Sequence, residues 1–192
     1  MRARFAGAVI DLGTGDGRFV SVTAAARRDQ LVIGIDANAA SMAKASRRAA
    51  RSDKRGGLAN ALFVVAAAEA LPAELNGVAD ALTVHFPWGS LLRSLLTTDA
   101  TILEGIARVT RPGAPVTLLL SLTERDNVTE IGAVDEHTFA GLAPAYAAHG
   151  LTLLDARPAT PEEIARLHST WAKRLGAGTN RPAWRVSLRR SG

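Results

Sequence analysis

The chain has 192 residues, 47% of them hydrophobic and 21% charged, with a formal net charge of +5. That length suits one well-cored domain, 1–192, and the absence of cysteine excludes disulfides, thiolate nucleophiles and cysteine-type zinc sites. The positive charge is mostly arginine, with lysine only at Lys44, Lys54 and Lys173, so an RNA partner and a plain compositional bias toward alanine and arginine are two rival readings of equal weight.

In chain order, the apolar run 8–12 predicts a first strand that enters Gly13-Thr14-Gly15-Asp16-Gly17. Glycines at alternate positions let a backbone turn sharply and approach a ligand closely. A helix is expected over 17–28, then a second strand over 31–35 ending at Asp36. An acid at that place can accept hydrogen bonds from both hydroxyls of a ribose, so an adenosine-bearing cofactor is expected. The spacing is not the GxGxxG of dinucleotide sites, and Asp11 and Asp16 would repel a pyrophosphate. S-adenosylmethionine, with its ammonium and sulfonium, fits an acidic loop better than NAD does.

A helix over 39–51 follows, and Arg47, Arg48, Arg51, Lys54 and Arg55 precede Gly56-Gly57. Arg47 and Arg51 share a helix face, where like charges destabilise slightly unless an anion sits between them; phosphate binding and a solvated charged face are the two readings. The segment 51–60 is basic and irregular, as an RNA-side insertion would be.

The third strand, 61–65, leads to Ala67-Ala68-Glu69-Ala70-Leu71-Pro72, where Ala68 and Glu69 are placed to meet the base edge of a nucleotide. The alternative for Glu69 is a first-turn acid favoured by a helix dipole. The fourth strand, 79–86, runs into His85-Phe86-Pro87-Trp88-Gly89. Trp88, expected on a loop at the mouth of the crevice, can stack on an extruded base, and the Phe86-Pro87 backbone would border its edge. His85 is expected to be structural.

A helix over 99–110 stops at Arg111-Pro112-Gly113, before a fifth strand at 115–122. The segment 125–136, polar and mixed in charge, is a second substrate-side insertion. Then come a helix over 138–149, a strand over 151–156, a helix over 161–176 and a strand over 183–188. Thr160-Pro161-Glu162-Glu163 is a good start signal for that last helix, with a capping threonine and acids in the first turn. Trp171, in HSTWAKRL, is a second indole able to hold a base, with helix packing as its rival; Trp184 is assigned to packing.

Seven short strands alternating with helices predict an α/β fold with a mostly parallel sheet and helices on both faces. The four histidines lack HxxxH spacing, so no metal is expected. Asp11 interrupts the one run that imitates a signal peptide, and no apolar run approaches the roughly 20 residues of a membrane span, so a cytoplasmic protein without membrane contact is expected.

VIDLGTGDGRFV, IGIDAN, KRGGLAN, AEALP, HFPWGSLLR and HSTWAKRL together resemble the 16S ribosomal RNA (adenine-1408) N1-methyltransferases, enzymes of kanamycin and apramycin resistance. The glycine loop alone indicates a class I methyltransferase, whereas FPWGSLL with a late STW is far more specific. The resemblance covers nearly the whole chain. It implies a class I S-adenosylmethionine-dependent methyltransferase, Rossmann-like with seven strands, that docks on the 30S subunit at 16S rRNA helix 44 as a monomer.

By the same implication Asp11, Gly13, Asp36 and Glu69 contact cofactor, and Thr14, Gly15 and Gly17 of the glycine loop are further cofactor-binding candidates. Trp88 and Trp171 grip a flipped adenine, and Ser169 and Arg181 help hold the target region. The basic cluster at 47–55 corresponds to the family's surface for ribosomal RNA. One departure is the start: family members carry a longer extension forming a small hairpin, where Met1 to Gly7 stand here, so the expectation is an abbreviated start or a partly missing docking surface. The alternatives are a methyltransferase for transfer RNA or a small molecule, and a noncatalytic RNA-binding module on the same fold.

Overall fold

A computed structural model of the chain describes residues 4–121, 134–167 and 182–192. Its described strands are β1 (Gly7–Leu12), β2 (Gln30–Asp36), β3 (Ala61–Val65), β4 (Ala81–His85), β5 (Pro115–Ser121), β6 (Leu151–Pro158) and β7 (Ala183–Arg190). They form one sheet in the order β3-β2-β1-β4-β5-β7-β6. The first five pair in parallel, and β7 runs antiparallel between β5 and β6.

Alternation along the strands explains why both faces are covered. Ala8, Ile10 and Leu12 of β1, with Leu31, Ile33 and Ile35 of β2, enter one core. Val9 and Val32 enter another on the opposite face. The first core is closed by α3 (Gly89–Leu96), α4 (Ala100–Val109) and α5 (Glu136–Ala148), through residues such as Leu95, Ile106 and Tyr146. The second is closed by α1 (Arg18–Ala26) and α2 (Ala39–Ala49), through Val20, Ala24 and Ala49. On β4 and β5 a third cluster gathers Phe86 and Leu119 under Ile164 and Leu167, the first from α6 (Pro161–Arg166) and the second just past its end.

Helix starts follow the sequence closely. Asn38 caps α2, accepting from the amides of Ala40 and Ser41, and Asp99 caps α4. Thr160 caps α6 as anticipated, and Glu163 completes a reciprocal cap, while the Arg157 guanidinium holds the Glu163 carboxyl down to about 2. Trp184 packs against Phe139 with ring centroids 5.4 Å apart, as a packing residue.

Most boundaries shift by one or two residues, and three segments differ in other ways. The fourth strand is shorter than 79–86, because Ala79 makes only an isolated bridge to Thr110 and Phe86 has a positive φ. The segment 51–60 contains a 3-10 turn, Asp53–Arg55. The expected helix over 161–176 is described as α6 only to Arg166, and its remainder falls mostly outside the described residues, as does most of 125–136.

Strand order fixes the place of the site. The chain leaves β1 toward β2 and β3, then returns to β4 on the other side of β1. The loops after β1 and β4 therefore diverge, and a crevice opens at their carboxyl ends, where open α/β sheets bind ligands.

Candidate active site

A cleft of about 950 Å³ occupies that crevice, lined by the ends of β1, β2, β3 and β4 and by the start of α2. Such a volume lies at the upper end of the range for small-molecule sites. Its titratable lining is Asp11, Asp16, Asp36, Glu69 and His85, and among the described residues no lysine or arginine lines it.

The glycine loop makes the wall. Gly13, Gly15 and Gly17 have φ of 73°, 58° and 68°, a conformation that residues with a Cβ rarely adopt. At Gly15 no atom lies within 4 Å of where a Cβ would sit, so the loop leaves a bare backbone face in the cleft. At Gly17 a Cβ would come within 2.4 Å of the Phe63 ring. Gly17 does not line the cleft; it ends the turn and lets α1 pack on β3.

Asp36 closes β2 and is fixed at both oxygens: Oδ2 accepts from the Gly15 amide and Oδ1 from the Asn38 amide, each at 2.8 Å. Each carboxylate oxygen keeps a second lone pair for a ligand hydroxyl. Beside it the Thr14 hydroxyl is buried without a hydrogen-bond partner, and Thr14 lines the cleft. Ala68 and Glu69 belong to a 3-10 turn, Ala68–Ala70, that brings both to the wall beyond β3.

Asp11 is 2% exposed at the floor. Its Oδ1 accepts from the Thr83 hydroxyl at 3.0 Å and lies 2.9 Å from Nδ1 of His85. The His85 ring stands edge-on to Phe19 of α1, with centroids 4.5 Å apart. His85, expected to be structural, is therefore also part of the cleft wall.

Opposite the glycine loop the rim is made by Phe86, Pro87 and Trp88. Phe86 adopts φ 48° and Gly89 φ 62°, which turns the chain out of β4 and directly into α3. Trp88 lies, as expected, in the short loop between β4 and α3, where it is the N-cap residue of α3, 72% exposed and lining the cleft. Phe86 is 2% exposed: its ring anchors the rim in the cluster with Leu119 and Ala183, and its amide donates to the Leu119 carbonyl at 2.7 Å. Phe86 and buried Pro87 both line the cleft at this rim.

Helix α3 is not among the helices that the sequence pattern predicts. Its signal was Leu92, Leu95 and Leu96 at helical spacing, all now buried, but a tryptophan-glycine start carries no side-chain cap. Trp171, Ser169 and Arg181 lie outside the described residues. Leu167, the last described residue before that segment, lines the cleft.

The basic cluster lies at the far end of α2. Ala39, Ala40 and Ser41 at its start line the cleft, whereas Arg47 and Arg48 occupy its last turn. Arg47, Arg48, Arg51, Lys54 and Arg55 are all exposed. An 11-residue helix rising 1.5 Å per residue puts roughly 16 Å between the two ends. Cations at a helix C-terminus also complement its dipole, a local reason for Arg47 and Arg48.

Comparison with known proteins places these features in one family. The model of the NpmA family, described as 16S rRNA (adenine(1408)-N(1))-methyltransferase, matches residues 1–189. A protein of the same description from Streptoalloteichus tenebrarius is 40% identical over 186 residues, covering 94% of this chain and 86% of its own. Among solved structures, a variant of the 16S rRNA (adenine(1408)-N(1))-methyltransferase from Catenulisporales acidiphilia, crystallised with cosubstrate SAM, superposes with a TM-score of 0.91. It is 31% identical and covers 100% of this chain and 88% of that one. The aminoglycoside resistance methyltransferase NpmB1 superposes with a TM-score of 0.82 at 38% identity, covering 98% of this chain and 89% of its own.

Proposed function

This chain belongs to the 16S rRNA (adenine(1408)-N(1))-methyltransferases, and from that premise we propose that it methylates N1 of adenine 1408 in the 30S decoding site, using S-adenosylmethionine, and so confers aminoglycoside resistance. The observation that carries the proposal is one cleft with a glycine-lined acidic wall on one side and an exposed indole on the other.

The residues fit the cofactor. Asp36 offers two fixed carboxylate oxygens to ribose hydroxyls, and Ala68 with Glu69 borders the adenine. The bare face at Gly15, the turn made by Gly13 and Gly17, and the Thr14 hydroxyl cradle the remainder. Asp11, supported by Thr83, takes the ammonium. The chemistry supplied by the bound cofactor is an electrophilic methyl group on a positively charged sulfur.

Adenine N1 carries a lone pair in the neutral base, so no side chain has to remove a proton first. The work left to the protein is extrusion, orientation and exclusion of water, which can lower a barrier by several kcal/mol. Trp88 stacks on the extruded base from the rim, with the Phe86-Pro87 backbone at its edge. Trp171 is assigned the opposite face: it follows Leu167, itself on the cleft wall, by four residues. Ser169 and Arg181 steady the same region.

Arg47, Arg48, Arg51, Lys54 and Arg55 bind phosphates of 16S rRNA around helix 44, roughly 16 Å from the cleft along α2. Residues 1–192 act as a single, monomeric methyltransferase domain in the cytoplasm. No helix among the described residues is long and apolar enough to cross a membrane.

Expression in a susceptible bacterium tests the proposal. Tolerance to kanamycin and apramycin should rise together with methylation of the decoding-site adenine. Unchanged tolerance with an unmodified adenine, while transfer RNA or a small molecule gains the methyl group, would overturn it.

A further inference from the structure

Gly56 and Gly57 follow the cations beyond α2 and do not line the cleft, yet the two glycines are not alike. Gly56 caps the 3-10 turn Asp53–Arg55 with a φ of 75° and has open space where a Cβ would sit. Gly57 is buried, and a Cβ there would stand 1.7 Å from the Arg51 carbonyl oxygen and 3.0 Å from that of Ser52. No other residue type fits so close an approach of two backbone segments.

We infer that Gly57 is a positioning residue for RNA docking: by letting the chain fold back onto the Arg51 carbonyl, it closes 51–57 into a preformed loop that presents Arg51, Lys54 and Arg55 together to phosphates of the RNA. The inference rests on the assignment of those cations to 16S rRNA.

Backbone closes the loop from both ends. The amides of Arg55 and Gly57 donate to the Ser52 carbonyl at 2.8 and 3.0 Å, and the Gly56 amide donates to that of Asp53 at 2.9 Å. The Leu58 amide then donates to the Ala49 carbonyl at 2.9 Å, which joins the exit of the loop to the last turn of α2. Ala49 and Leu58 are buried in one cluster with Val20 and Ala24 of α1. Asn60, 3% exposed, aims its side-chain nitrogen at the carbonyls of Ala24, Arg27 and Gln30, each 2.9 Å away. Its own carbonyl accepts from the Val32 amide of β2 at 2.8 Å. The loop therefore has fixed ends and an internally bonded backbone, while Arg51, Lys54 and Arg55 are exposed.

Charge gives that closed shape a use. Three like charges on so short a loop repel one another, and a polyanion relieves the repulsion. Among the described residues none of the three makes an ion pair, and the one acid of the loop, Asp53, faces Arg28 at 3.3 Å. A backbone already ordered before docking lowers the entropy lost when the cations meet their phosphates.

The test compares Gly57→Ala with Gly56→Ala, by affinity for 30S subunits across a salt series and by calorimetric titration with S-adenosylhomocysteine. Gly57→Ala forces the Arg51 carbonyl away and should weaken 30S binding about tenfold at physiological salt, flattening its dependence on log salt by about one unit or more. Its affinity for S-adenosylhomocysteine should be unchanged. Gly56→Ala meets no atom and should keep the wild-type slope. In the free wild-type protein, the amides of Gly57 and Leu58 should exchange with solvent deuterium as slowly as those of α2, a measurement that needs no variant.

Wild-type affinity and slope in Gly57→Ala, an equal loss in Gly56→Ala, a parallel loss of S-adenosylhomocysteine binding, or rapid exchange at Gly57 and Leu58 would each overturn the inference. Joint replacement of Arg51, Lys54 and Arg55 by alanine separates the two levels. If it leaves the salt slope intact, the assignment of these cations to RNA itself fails; if it flattens the slope while Gly57→Ala does not, only the inference about Gly57 fails.

Discussion

The wall of the cleft and its outer reaches are held in different ways. At the wall, position is set by backbone: three left-handed glycines, a carboxylate fixed by two amides and a strand end buried on both faces. At the rim and at the C-terminal end of α2, the groups assigned to RNA are side chains projecting into water, Trp88 and five cations. A rigid wall suits a small cofactor that must present one atom in one place. An exposed periphery suits a large, salt-sensitive partner whose binding energy is spread over stacking and phosphate contacts.

Substitutions on the two sides should separate accordingly. Trp88→Ala should lower methylation of 30S subunits about 100-fold, as loss of a stacked base does, with cofactor affinity within about twofold. Parallel losses of both would erase the distinction between rim and wall. Trp171→Ala is expected to behave like Trp88→Ala, and ordinary methylation by both variants would reject the two-indole grip.

Within the wall, the glycines divide. Gly17→Ala forces a methyl group into the Phe63 ring at a positive φ and should cost about 2 to 4 kcal/mol of stability, read by chemical denaturation. Gly15→Ala meets no atom, so its cost is about 1 kcal/mol of backbone strain, while its methyl group intrudes on the ligand. Its main effect should be on cofactor affinity, and a reversed ranking of the two stabilities would contradict the packing described for Gly17.

The smallest effect is expected at the basic cluster. Removing Arg47 and Arg51 together should leave turnover at low salt nearly intact and flatten the dependence of 30S affinity on log salt by about one unit per lost phosphate contact. An unchanged slope would return those arginines to the role of a solvated helix end.

The wall was largely legible in the sequence because backbone constraints leave residue-type signatures. Glycine at 13, 15 and 17 and an acid at the end of the next apolar run admit few other readings. The places of all seven strands were legible too, β1, β2 and β5 as apolar runs buried on both faces and the others as shorter or partly exposed runs.

What escaped was set by long-range contacts. Nothing local marks the reversal of β7 between β5 and β6, or the proximity of His85 to Asp11, which depends on β4 returning beside β1. Phe86 was placed in the site by its neighbours in sequence, yet a positive φ turns its ring into the cluster beneath the rim. Helix α3 escaped because eight residues with an uncapped start read as a connection, although its three buried leucines held the helical period.

The central claim is that an acidic glycine-lined cleft presents a methyl group to an adenine drawn out of 16S rRNA. Incubation of the purified protein with assembled 30S subunits and labelled S-adenosylmethionine, followed by primer extension, tests it most directly. The predicted result is label in 16S rRNA and a strong stop at adenine 1408, both reduced about 100-fold by Trp88→Ala. Absence of label, or label at a different nucleotide with adenine 1408 untouched, would contradict it.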